Sequence, residues 1–119
     1  MVTVDTVIVM KVRAMQFSQD WQKLNDRVFA TIRIHKGDMK YVPDEKVEVV
    51  SPKRKFQAHI LFATTMKLKD IPMAFMEYDL EAKPGEKRQE LINKLGKLYK
   101  FSERPTESDE ATIYVLERL

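Results

Sequence analysis

Apolar and polar residues alternate along much of the chain, and helical signals interrupt the period of two in three places. Val2-Thr3-Val4 and Thr6 to Val12 alternate and are rich in β-branched residues, which predicts a strand, broken near Arg13 and resumed through Phe17. Ser18 offers an N-cap oxygen, Asp20 falls where a helix dipole favours a carboxylate, and Trp21, Leu24 and Val28 share a helical face. A short helix over about Gln19 to Arg27 is therefore expected. From Phe29 to Ile34 the period returns to two, with Phe29, Thr31 and Arg33 on one face and Ala30, Ile32 and Ile34 on the other, so that Arg33 points away from the aliphatic core.

A loop from His35 to Asp44 carries the turn signals Lys36-Gly37-Asp38 and Val42-Pro43-Asp44. Strands are predicted at Lys46 to Val50 and Phe56 to Thr65, joined by the hairpin-like Ser51-Pro52-Lys53-Arg54 and paired antiparallel. Asp70-Ile71-Pro72 reads as a helix entry, with Met73 to Met76 continuing for a turn or two. The strongest helical stripe follows Lys83-Pro84-Gly85, at Leu91, Ile92, Leu95, Leu98 and Tyr99. Ser102 to Asp109 is a polar loop, and Ala111 to Leu116 is a closing strand.

Strands joined mostly by short links, with the helices set apart from them, predict an α+β fold with a curled mixed or antiparallel sheet. A doubly wound nucleotide fold needs regular alternation and a Gly-rich first turn, and the sequence has neither. The 119 residues suit one domain spanning 1–119. With no cysteine, thiolate metal sites, disulfides and cysteine nucleophiles are excluded. The apolar run Val7 to Met10 is too short to span a bilayer and no cleavage site follows it, so a cytoplasmic protein with no membrane partner is expected. Net charge is only +3, but residues 1–70 hold 13 Lys/Arg against 8 Asp/Glu while 71–119 hold 8 against 10, so the basic surface belongs to the first part.

Chemistry-bearing residues are few. His35 and His59 stand alone, without a partner at ligand spacing, so no metal and no cofactor is expected. Thr31 and Arg33, two apart on one strand face, can reach the same ligand: the guanidinium forks two hydrogen bonds to a phosphate or carbonyl edge and the hydroxyl adds one more. The alternative role for Arg33 is a surface ion pair, for example with Glu48. Lys36, Lys40 and Tyr41 follow in the next loop, and Lys53-Arg54-Lys55 sits on a turn. Such cations are usually just solvated, but with Tyr41, Phe29 and Phe56 nearby in sequence they have the composition that grips unpaired bases and their backbone. The methionines from Met66 to Met76 read as core packing.

The run Phe17-Ser18, then Ala30-Thr31-Ile32-Arg33, then Lys40-Tyr41-Val42-Pro43-Asp44-Glu45 and the following strand resembles the ASCH family, in which A-T-I-R is followed by K-Y-x-x-G-D. Glu90 to Tyr99 and Glu110 to Val115 are similar to that family's long helix and terminal strand. The likeness runs from about Met15 to Leu116 and implies a PUA-like β-barrel with two to three flanking helices, a cleft beside the Thr-Ile-Arg strand, and relatives that bind RNA or act on nucleosides. In relatives that deacetylate N4-acetylcytidine the motif is K-x-x-T-x-R, with a glutamate before the long helix. Thr31 and Arg33 match that motif, whereas Val28 stands at the lysine position. Lys23 is eight residues before Thr31, Arg27 stays protonated, and only Glu81 and Glu86 flank the place of the glutamate.

Three readings follow. The first is a noncatalytic module binding RNA or a nucleotide-like ligand through Thr31, Arg33, Lys36, Lys40, Lys53, Arg54 and Lys55, with Tyr41 or Phe29 stacking a base. The second is a small amidohydrolase acting on an N4-acylated cytidine, with Thr31 and Arg33 orienting the substrate, Lys23 or a water replacing the missing base, and Glu81 as a further candidate. The third is a protein-interaction domain using the acidic, apolar C-terminal third.

Overall fold

The computed structural model describes residues 12–35, 41–99 and 105–119. The expected strand over Val2 to Met10, together with Lys36 and Lys40, lies outside the described residues. The described residues form an α+β fold in which a mixed five-stranded sheet carries two α-helices. The strands are β1 (Arg13–Gln16), β2 (Val28–Arg33), β3 (Lys46–Ser51), β4 (Arg54–Lys67) and β5 (Glu110–Arg118), in the spatial order β1-β3-β4-β5-β2. The helices α1 (Met73–Leu80) and α2 (Arg88–Tyr99) lie between β4 and β5 in sequence. Only β1 and β3 run parallel.

β4 is long enough to serve two partners. Its first half pairs antiparallel with β3 and its second with β5, and the register slips between Ile60 and Phe62 where Leu61 bulges out. An extra residue in one strand bends it and raises its twist. The sheet therefore turns at β4, so that its two faces enclose separate cores.

Period-two alternation fills both cores from the same strands. On one face Ile32, Ile34, Ala111 and Ile113 meet Met76, Leu80, Leu91, Ile92 and Leu95 from the helices. On the other, Phe29, Tyr114 and Leu116 meet Met15, Phe17, Leu24, Val47, Val49, Ala58 and Ile60. The face of β2 that carries Thr31 is thus buried as well as the aliphatic one, and Thr31 keeps only 3% of its surface exposed. Arg33 shares this face and so points away from the aliphatic core of Ile32 and Ile34, as expected, but the face is itself covered, and a strand covered on both sides needs apolar residues on both.

The predicted helix over Gln19 to Arg27 is a single 3-10 turn, Gln22–Asn25. Neither of its expected caps operates, because the Asp20 carboxylate instead accepts hydrogen bonds from the Ser51 hydroxyl and the Lys53 backbone N–H at 2.6 and 3.0 Å. Asp20 therefore pins this segment to the β3–β4 turn. Val28, expected on the helical face, lies on β2 and is 46% exposed. Helix α2 tolerates Gly96 at its centre for a steric reason: a Cβ there would lie 2.5 Å from Cδ of Pro105, whose ring packs directly on the helix backbone.

A candidate site around a buried lysine

β2 is an edge strand, and at its C-terminal end the two cores do not quite meet. A cavity of about 90 Å³ remains there, lined by Phe17, Trp21, Lys23, Thr31, Ile32, Arg33, Asp79 and Leu80 among others. Each wall has a different origin. Phe17 follows β1, Trp21 and Lys23 belong to the 3-10 turn, Thr31 and Arg33 to β2, and Asp79 and Leu80 to the last turn of α1.

Lys23 is the unusual member. Its side chain is 2% exposed and that of Asp79 6% exposed, and Nζ of Lys23 donates to Oδ1 of Asp79 within the cavity wall. A charge removed from water is costly unless it is paired, and this contact joins the 3-10 turn to α1. Burial is the largest influence on the amine and pushes its pKa below the ordinary lysine value of 10.5. The Asp79 carboxylate pulls the other way, and the nearby Arg33 charge adds to the lowering.

Arg33 is held without an acid. Its guanidinium carbon lies 4.5 Å from the centroid of the Phe17 ring, and Nε donates a 3.3 Å hydrogen bond to the Thr31 hydroxyl. Nζ of Lys23 sits 5.5 Å from the same ring. Two cations thus share Phe17 as a shelf, with the hydroxyl of Thr31 beside one and the carboxylate of Asp79 on the other. Among the described residues no carboxylate lies within ion-pair distance of Arg33, so the pairing with Glu48 does not form and the fork remains turned to the cavity.

No protein-family model, curated protein or solved structure matches the chain.

The residues singled out in the sequence fall into three places. Thr31, Arg33 and Lys23 meet in the cavity. Glu81 lies just outside it, where Oε1 accepts the Gln22 backbone N–H at 2.6 Å, and Glu86 is occupied by Lys94 and the Lys83 backbone. The carboxylate that does face Lys23 is Asp79, which sequence reasoning missed. A signal existed: Met76, Asp79 and Leu80 form the buried stripe of α1, and an acid in an apolar stripe calls for a partner. Val28, at the lysine position of the K-x-x-T-x-R motif, lies instead on an apolar surface hollow with Phe75 and Tyr78.

The expected base-stacking residues are otherwise engaged. Phe29 is 2% exposed and packs edge-on between Phe17 and Phe56, which removes it as a platform for a ligand. Tyr41 donates its hydroxyl to the Ala14 carbonyl, carries the Arg13 guanidinium 4.6 Å from its ring and meets His35 and Tyr114 edge-on. Of the three cations expected on a turn, only Lys53 lies in the β3–β4 turn, while Arg54 and Lys55 begin β4; all three lie outside the cavity, and Asp20 ties Lys53 to the segment that forms one lip. His59 makes a 3.5 Å contact with Asp44, and among the described residues no group of three or more candidate ligands could hold a metal ion. No described helix is long and apolar enough to cross a membrane.

Proposed function

We propose that the chain is a small amidohydrolase of the ASCH type, acting on the acyl group of an N4-acylated cytidine. One observation carries the reading: a lysine buried beside an aspartate opens onto the same small cavity as Thr31 and the unpaired Arg33. An amine with a lowered pKa beside hydrogen-bond donors in a cleft is a general base placed opposite oxyanion donors. The likeness of Ala30-Thr31-Ile32-Arg33 and the long helix to the ASCH family supplies the substrate class, and a sheet bent at β4 suits that family's PUA-like barrel.

The chemistry is that of amide hydrolysis. In its neutral form Lys23 takes a proton from a water whose oxygen adds to the acyl carbon, and Arg33 and the Thr31 hydroxyl donate to the oxyanion that forms. Collapse breaks the C–N bond, and the proton held on Lys23 passes to the departing nitrogen, releasing the carboxylic acid and cytidine. Asp79 orients the amine through its contact with Nζ. A cavity of about 90 Å³ is too small for a whole nucleoside and admits only the acylated edge, which confines the chemistry to the acyl group.

Incubation with N4-acetylcytidine followed by chromatography tests the proposal. Release of cytidine by the native protein and its loss in Lys23→Gln is the expected result, whereas no release, or undiminished release by Lys23→Gln, overturns it.

A second reading, a noncatalytic RNA-binding module, is favoured by the attachment of Lys53, next to Arg54 and Lys55, to the cavity lip through Asp20. It predicts association with single-stranded RNA that weakens by about 0.7 log units per log unit of salt for each phosphate neutralised. Affinity that stays flat with salt excludes it.

A further inference from the structure

The small cavity does not end at bulk solvent on every side. Trp21, Leu80 and Leu98 line it and also line a wider groove of about 360 Å³, whose remaining walls are Gln19, Glu81, Lys94 and Lys97. The two spaces share a wall, so a ligand whose head enters the cavity must lay its body in the groove. Resting on the hydrolase reading above, we propose that this groove receives a phosphorylated nucleoside, so that the substrate is an acylated nucleotide rather than the free nucleoside.

Three features of the groove select that class. Its floor is apolar and contains one large aromatic plane, Trp21, which suits the flat face of a base or the less polar face of a ribose. Its rim carries two cations three residues apart on α2, which places them on the same side of the helix. Of these, Lys94 is already answered, with Nζ 2.6 Å from Oε1 of Glu86. Among the described residues no carboxylate lies within ion-pair distance of Lys97. The one acid of the groove, Glu81, has Oε1 turned to the Gln22 backbone N–H. Lys97 is therefore the groove cation that has no ion-pair partner among the described residues and can meet an anionic group of a ligand. A neutral nucleoside would use the floor and leave that cation idle, whereas a monophosphate uses both.

Trp21 is the only tryptophan in the chain, so intrinsic fluorescence reports directly on the groove. The test is a titration of the whole native protein with cytidine 5′-monophosphate, cytidine and inorganic phosphate. It is repeated on Lys97→Gln and on Lys87→Gln, which removes the same charge about 15 Å along the helix axis. The expected result is quenching by the monophosphate at a concentration about tenfold lower than by cytidine, since a hydrogen bond to a charged group is worth that much. That preference should vanish in Lys97→Gln and persist in Lys87→Gln, and inorganic phosphate should act only weakly. Equal affinity for cytidine and its monophosphate, no response to either, or a preference unchanged by Lys97→Gln overturns the assignment. Deacetylation of N4-acetylcytidine is measured on the same samples. Turnover with no phosphate preference removes the groove proposal and leaves the hydrolase, while a Lys97-dependent preference without turnover removes the hydrolase and leaves the groove.

Discussion

Lys23 donates to Asp79 across 56 positions of sequence, and the two side chains keep only 2% and 6% of their surface in contact with solvent. The pair joins the 3-10 turn, which Leu24 also anchors in the core and Gln22 ties to Glu81, to the end of a helix only eight residues long. An ion pair this deep is an expensive way to join two elements, because desolvation consumes most of the Coulomb gain. Its position on the wall of a cavity that also holds Thr31 and Arg33 gives it a use that packing alone does not explain.

The energetic signature of the pair is asymmetric. Lys23→Met leaves Asp79 as a buried carboxylate without a partner and is expected to cost about 3–5 kcal/mol. Lys23→Met combined with Asp79→Leu removes both charges and should recover most of that loss. Urea denaturation of the native protein, both single variants and the double variant measures this cycle, and additive losses would show that the two residues do not interact.

The pH dependence follows from the sign of the Lys23 shift. Its pKa in the folded protein lies below 10.5, so at pH values between the folded and unfolded values the unfolded chain binds more protons and stability rises with pH. The contribution of Lys23 is complete above 10.5 and is lost as pH falls through the folded value. Between neutral pH and 10.5 the stability of the native protein should therefore rise relative to that of the Lys23→Met, Asp79→Leu variant. The rate of deacetylation should rise with pH up to the folded value of Lys23 and stay level from there to 10.5, because only the free amine accepts a proton.

At the far edge of the sheet Arg13 grips Glu45 with two hydrogen bonds of 2.6 Å, chiefly lowering the Glu45 pKa from its ordinary 4.5. A carboxylate held down in this way stabilises the fold above 4.5, and the contribution disappears as pH falls through its folded value. Acid unfolding followed by circular dichroism should begin at higher pH in Arg13→Gln than in the native protein.

Gly96 illustrates a helix interior in which propensity gives way to contact. Alanine gains about 1 kcal/mol over glycine in a free helix, yet here its Cβ would meet the Pro105 ring at 2.5 Å and force backbone to move. Gly96→Ala is expected to destabilise by about 1–3 kcal/mol. In a Pro105→Ala background the same change should become neutral or stabilising, which thermal melts of the four proteins can establish.

Much of this fold can be read from periodicity. Alternation locates β2 to β5 within a few residues, since a strand's two faces leave a period of two whichever core each face meets, and the Leu91 stripe locates α2. The 3-10 turn is less legible because Ser18, Asp20, Trp21 and Leu24 mimic a capped amphipathic helix, while Asp20 in fact serves Ser51 and Lys53, partners more than 30 residues away. The site divides in the same way. Thr31 and Arg33 fall together because neighbours on one strand face have no choice, but Lys23 and Asp79 meet only through tertiary packing, and no spacing rule connects residues on different elements.

Joint action of Lys23, Thr31 and Arg33 on one bound acyl group is measured by the initial rate of cytidine release from N4-acetylcytidine. Native protein and Arg33→Gln are compared, with circular dichroism showing both folded. Steady release by the native protein and a fall of about 100-fold or more in kcat for Arg33→Gln are expected, in keeping with the loss of an oxyanion donor. A native protein that releases no cytidine, or an Arg33→Gln variant that releases it at the native rate, would contradict that joint action.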